Sequence, residues 1–133
     1  MLVVDDERHV REVMPIGLRR LGYRVDAVEN AAEVSPRIKA TQGGEEAFKI
    51  VISDQTMPVM TGLQLLAHIK TNARETPVIL MTGYSDSLNK TGAMAAGAAD
   101  FLRKPLDARK LADVVGLVLD GEMQNLEARE PIN

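Results

Sequence analysis

No cysteine occurs in the 133 residues, so disulfides and thiolate metal sites are excluded at once. Tryptophan is also missing, and two Tyr and two Phe are the only aromatic residues. Any core has to be assembled from Val, Ile, Leu, Met and Ala. No apolar run approaches the roughly 20 residues that a membrane span needs. A basic excess is lacking too. The net charge is −3, whereas a nucleic-acid surface wants a clustered basic face, so direct binding of nucleic acid is not expected. The chain turns acidic by Asp5 and Asp6, which no signal peptide does. What remains is a chain of one domain's length, expected to be soluble and cytoplasmic.

What is present is an alternation of short apolar runs with amphipathic stretches, the pattern of a parallel sheet covered by helices. Leu2-Val3-Val4 ends abruptly in Asp5-Asp6. Val10, Val13, Met14, Gly17, Leu18 and Leu21 then recur at helical spacing, with Gly22 as the stop and Pro15 inside the pattern. Tyr23 to Val28 reads as a second strand, and Asn30 with Glu33 as the opening of a helix that Pro36 weakens. After the polar stretch Thr41 to Glu46, Phe48 to Ser53 is nearly continuous in apolar residues, as a strand buried on both faces should be. It ends at Asp54.

A turn with Pro58 and Gly62 leads to a helix with Leu65, Leu66 and Ile69 inward. Val78 to Met81 is a fourth strand ending at Thr82-Gly83. The polar loop Tyr84 to Asn89 precedes a small-residue helix that should stop at Gly97. Asp100 to Arg103 is the fifth strand, closed by Lys104-Pro105, and Asp107 caps a last helix bearing Leu111, Val114, Val115 and Val118. From Asp120 the chain is polar and aperiodic and is predicted to be a frayed tail. Five strand–helix units fill the chain, with no internal linker. Leu2 opens the first strand with little chain before it, a start that fits either a segment of a longer protein or a short native beginning.

The chemistry sits at the strand ends. In an open parallel sheet, ligands bind outside the carboxyl ends of the strands. Here those ends carry Asp5-Asp6, Asp54, Thr82 and Lys104. Each alone is ordinary: a cap, a turn acid, a strand-end hydroxyl, a solvated lysine. Together they predict a site. Three neighbouring carboxylates repel each other unless a cation lies between them, and Mg²⁺ prefers carboxylate, carbonyl and water oxygens. The ion and Lys104 would together neutralise the three acids, leaving one carboxylate able to attack a phosphoryl group. The Thr82 hydroxyl and the Gly83 amide would add hydrogen bonds to the phosphoryl oxygens. An acyl phosphate on Asp54 is the natural product.

Four motifs carry these residues: VVDDE at Val3 to Glu7, SDQTMPVMTG at Ser53 to Gly62, MTG at Met81 to Gly83, and ADFLRKP at Ala99 to Pro105. In order and spacing they resemble the receiver domains of two-component response regulators and hybrid histidine kinases. The resemblance covers residues 1–119 and leaves 120–133 as a polar tail. It implies an α/β fold with a five-stranded parallel sheet of order 2-1-3-4-5, flanked by five helices in the flavodoxin-like arrangement. It also implies that Asp54 is the phosphoacceptor in a phosphorelay, fed by a sensor histidine kinase or a histidine phosphotransfer protein. Asp6 resembles the direct Mg²⁺ ligand, Asp5 the ligand acting largely through water, and the Thr56 carbonyl the third protein ligand. Thr82 corresponds to the hydroxyl that reports phosphorylation, Lys104 to the phosphate-binding lysine, and Phe101 to the aromatic switch whose ring follows Thr82 inward. The bond before Pro105 is expected to be cis.

Such a domain promotes its own phosphorylation and dephosphorylation without acting on a separate substrate, so it is not an enzyme in the ordinary sense. The face of helix four, strand five and helix five is expected to meet partners, in a monomer or a weak homodimer. MTGYSD leans toward receivers of hybrid sensor kinases. Tyr84, two residues after Thr82, is expected to hinder a hydrolytic water and prolong the acyl phosphate. Phe101 is explained nearly as well by core packing as by switching. Met57 and Met60 read as core filler or turn packing, and His9 and His68 as surface or helix-face residues.

Three other readings fit the residues less well. A phosphatase of the haloacid dehalogenase type wants a second Asp two residues after the nucleophile, where this chain has Thr56. A flavodoxin-like cofactor binder wants a phosphate-cradling first loop, where this chain is acidic. A pseudo-receiver that binds partners without phosphorylation typically loses a site residue, and none is lost here.

Overall fold

The computed structural model describes residues 1–41, 48–73, 75–83 and 88–129. Strands β1 (Leu2–Val4), β2 (Asp26–Val28), β3 (Val51–Asp54), β4 (Val78–Thr82) and β5 (Asp100–Arg103) form one sheet of order β2-β1-β3-β4-β5. All four pairings are parallel. Helices α1 (Arg8–Arg20), α2 (Val34–Thr41), α3 (Gly62–Asn72), α4 (Lys90–Ala95) and α5 (Ala108–Arg129) cover it. The expected strand order is thus the observed one.

The apolar runs explain the two-sided cover. Successive strand residues point to opposite faces, so an uninterrupted run must be buried on both. Leu2, Val4, Val51, Val78 and Leu80 meet Val34 of α2, Leu65, Leu66 and Ile69 of α3, and Ala93 of α4. Val3, Ile52, Ile79 and Met81 face the other way, onto Met14 and Leu18 of α1 and Leu111 and Val115 of α5. Fully burying side chains of this size contributes about 1.5–3 kcal/mol each. Where α1 meets α5, a Cβ on Gly17 would overlap the Cβ of Ala108, so the helices approach closely because residue 17 has no side chain.

Several element boundaries differ from the sequence reading. β2 starts at Asp26, because Gly22, at φ 99°, turns the chain so that the Tyr23 amide donates back to the Leu18 carbonyl of α1. Asn30 caps as expected by accepting from the Glu33 amide at 3.3 Å. The Glu33 carboxylate, however, accepts from the Glu29 amide, so the reciprocal bond falls one residue early. A 3₁₀ turn (Ala31–Glu33) precedes α2. Pro36 then lies in the first turn of α2, where a missing amide costs little.

The tail predicted from Asp120 is helical: α5 runs on to Arg129. Residues 120–129 hold good helix formers, and the next proline is Pro131, so propagation continues without an apolar stripe to reveal it. No helix among the described residues is long and apolar enough to cross a membrane.

Candidate functional site

Parallel register brings the strand ends to one rim. Val4 stands opposite Ser53 of β3, Asp54 opposite Met81, and Thr82 opposite Arg103. The pairing continues into the loops: the Gln55 amide donates to the Met81 carbonyl at 2.8 Å, and the Lys104 amide to the Thr82 carbonyl at 2.7 Å. The Lys104–Pro105 bond is cis, as expected.

Asp5, Asp6, Asp54 and Lys104 converge there. One carboxylate oxygen from each aspartate lies within 4.8 Å of the others. Asp5 is completely buried and Asp54 nearly so, whereas Asp6 is exposed. The Lys104 ammonium lies 2.8 Å from Asp5 Oδ2 and 3.4 Å from Asp54 Oδ2. It also donates a hydrogen bond of 3.2 Å to Glu7 Oε1. Asp5 Oδ1 accepts from the Glu7 amide at 2.9 Å. Asp5 Oδ2 rests against the ammonium of Lys104 in a buried ion pair.

Electrostatics follow from burial and crowding. Burial pushes the Asp5 carboxyl up, and the nearby Lys104 offsets this only in part. Burial first, then the charge of Asp5, pushes Asp54 up to about 6, against the pull of Lys104. For Lys104, burial acts to lower the ammonium, but Asp5, Asp54 and Glu7 prevail and hold it above the usual lysine range. One lysine among four acids leaves a net negative pocket, two of whose carboxylates are buried. Such a donor set fits a hard divalent cation.

Other residues take secondary places. Thr82 is buried at the end of β4, with Oγ1 3.3 Å from the Gly83 carbonyl, and Gly83 follows it at the rim. Thr56 is exposed in the turn after Asp54. Phe101 is only 7% exposed and packs in the same apolar layer as α4, with the Arg103 guanidinium 5.8 Å from its ring centre. Met57 is buried and Met60 packs against the same layer, while His9 and His68 are exposed. Tyr84 lies outside the described residues.

Sequence reasoning missed two supports. Thr61 and Gln64 form a reciprocal capping box at the start of α3, a spacing legible in the sequence. Gln55 holds the same helix end, its Oε1 accepting from the Leu63 amide at 2.8 Å and its carbonyl from the Gly62 amide at 3.0 Å. Glu7 was missed as well, because its partner is 97 residues away.

The architecture is that of a flavodoxin-like α/β protein whose first loop is acidic instead of phosphate-cradling. The family model for the response regulator receiver domain matches residues 1–116, and the chain belongs to that family. It is 39% identical to the response regulator protein FleR of Pseudomonas aeruginosa over 132 residues, which cover 99% of this chain and 27% of that protein. The response regulator protein PilR of the same organism is 33% identical, with 97% and 27% covered. A response regulator receiver domain protein from Clostridium thermocellum superposes with a TM-score of 0.81 at 29% identity, covering 92% of this chain and 95% of that one. The chain spans about a quarter of the length of the curated relatives it matches. Both are named as response regulators, so the lean toward hybrid sensor kinases drawn from MTGYSD gains no support from them.

Proposed function

We propose that this chain is a phosphoacceptor receiver in a two-component phosphorelay, in which Asp54 takes a phosphoryl group from a phosphohistidine. The observation that carries this reading is the convergence of Asp5, Asp6, Asp54 and Lys104 at the carboxyl rim of the sheet. Asp5, Asp6, Asp54 and the Thr56 carbonyl would hold Mg²⁺, which supplies charge neutralisation to the transferring phosphoryl group. An Asp54 carboxylate oxygen attacks phosphorus, the P–N bond of the donor breaks, and the donor imidazole keeps the electron pair. Lys104 and the Gly83 amide bind the phosphoryl oxygens, and Thr82 turns toward them. The donor is a sensor histidine kinase or a histidine phosphotransfer protein, and the reaction is cytoplasmic.

Phosphorylation biases the face of α4, β5 and α5, through Thr82 and the Phe101 ring, toward a partner-binding state. A homodimer through that face would be weak.

The test is intact mass after incubation with Mg²⁺ and acetyl phosphate, for the chain and for Asp54→Asn. A single Mg²⁺-dependent phosphoryl adduct, absent from the variant, is the expected result. No adduct, together with no Mg²⁺-dependent rise in melting temperature, would favour a module that binds partners without phosphorylation.

A further inference from the structure

Glu7 occupies the N-cap of α1, a position that favours Ser, Thr, Asp or Asn, and its side chain caps nothing. Its carboxylate instead reaches across to Lys104, at the far end of the fold's last strand connection. Of the three acids around the ammonium, Asp5 is nearest at 2.8 Å and buried, while Glu7, hydrogen-bonded at 3.2 Å, is the exposed one. A local rule broken in favour of a remote contact marks a functional pressure.

Lys104 has little freedom. Its side chain is only 16% exposed, its amide is fixed to the Thr82 carbonyl, and Pro105 follows. In the conformation seen, the ammonium is the cation among the acids, against Asp5 Oδ2 and Asp54 Oδ2. A divalent ion drawn to Asp5, Asp6 and Asp54 competes for the same oxygens and repels the ammonium. The lysine has to yield, and the side of the site that offers it another carboxylate is that of Glu7, which is 59% exposed and free of the cluster.

We propose that Glu7 is a positioning residue that takes Lys104 from Asp5 and Asp54 when a divalent cation enters, and thereby sets cation affinity. This rests on the receiver reading and adds to it a residue outside the acid, hydroxyl and lysine set. Without Glu7 the lysine stays on the two buried acids as a built-in competitor. Without Lys104 there is nothing to hand over, and Glu7 becomes a distant, solvent-screened charge.

The experiment is a Mg²⁺ titration of the full chain, read by amide NMR shifts at Gly83 and by melting temperature. Wild type, Glu7→Gln, Lys104→Met and the double variant are compared. Glu7→Gln is expected to weaken Mg²⁺ binding by about threefold to tenfold, and the same change in the Lys104→Met background by less than about twofold. Lys104→Met alone is expected to tighten it. The metal-free melting temperature of Glu7→Gln should stay within roughly 2 °C of wild type, separating hand-over from general damage. Equal weakening in both backgrounds would reduce Glu7 to a remote charge, and no weakening in either would remove it from the site; both overturn the proposal and leave the receiver reading intact. Absence of any Mg²⁺ response in wild type would sink both together.

Discussion

Gly62 sits so close to Asp54 that a Cβ on residue 62 would lie 2.7 Å from the Asp54 carbonyl oxygen and 3.0 Å from the Gln55 Cα. Both neighbours are backbone, which cannot swing aside as a side-chain tip can. Gly62→Ala is therefore expected to push the turn after β3 outward and cost about 1–3 kcal/mol of stability. Because that turn presents Asp54, the Mg²⁺-induced rise in melting temperature should shrink as well. Urea denaturation with and without Mg²⁺ measures both, and an unchanged midpoint would show that the turn yields freely.

The raised pKa of Asp54 makes the metal-free chain sensitive to pH. Its folded value of about 6 lies above the unfolded 3.8, so the folded state binds the proton more tightly between the two. Stability from this group is greatest in acid and falls as pH rises through that window, by up to about 3 kcal/mol above it. Lys104, raised in the folded state, keeps its contribution throughout this range and loses it only in strong alkali. In EDTA, Asp54→Asn should gain on wild type as pH goes from about 4.5 to 8. A gap that closes with rising pH would mean that the attraction to Lys104 outweighs burial.

The contact of Gly17 with Ala108 allows a paired test. Gly17→Ala is expected to destabilise by about 1–3 kcal/mol through overpacking, although alanine is the better helix former. Adding Ala108→Gly should recover part of the loss. Additive losses in the double variant would show that the helices do not meet at this point.

The expectation that Tyr84 hinders a hydrolytic water near a phosphorylated Asp54 has a direct test. Tyr84→Ala is expected to hydrolyse faster than wild type once the phosphodonor is removed, as followed by decay of the intact-mass adduct. Equal decay would free the tyrosine of any shielding role.

Most of the site was legible because strand ends are legible. VVDDE, FKIVISD and VILMT each change from apolar to polar in one step, and parallel pairing turns that step into a common rim. The fold was legible for the same reason, since three apolar runs and two shorter mixed ones, separated by helical periodicity, leave few alternatives. The end of α5 was not, because the sequence over 120–129 is mostly polar with no clear apolar periodicity, and polarity alone cannot tell a helix from a tail. The start of β2 is hidden because Val25 is buried like a strand residue yet precedes the ladder, which begins at Asp26. Glu7 was invisible, since a lone acid after two site acids looks like more of the same until the distance to Lys104 is known.

The sheet separates two apolar layers that share few neighbours apart from the strands themselves. One layer holds α1 and α5, the other α2, α3 and α4, and the rim with Asp54 and Lys104 borders both. The strands, which send alternate side chains into each layer, are what the two layers have in common. The proposed partner face takes α4 from one layer and α5 from the other, so repacking either layer alone alters half of the surface a partner would meet.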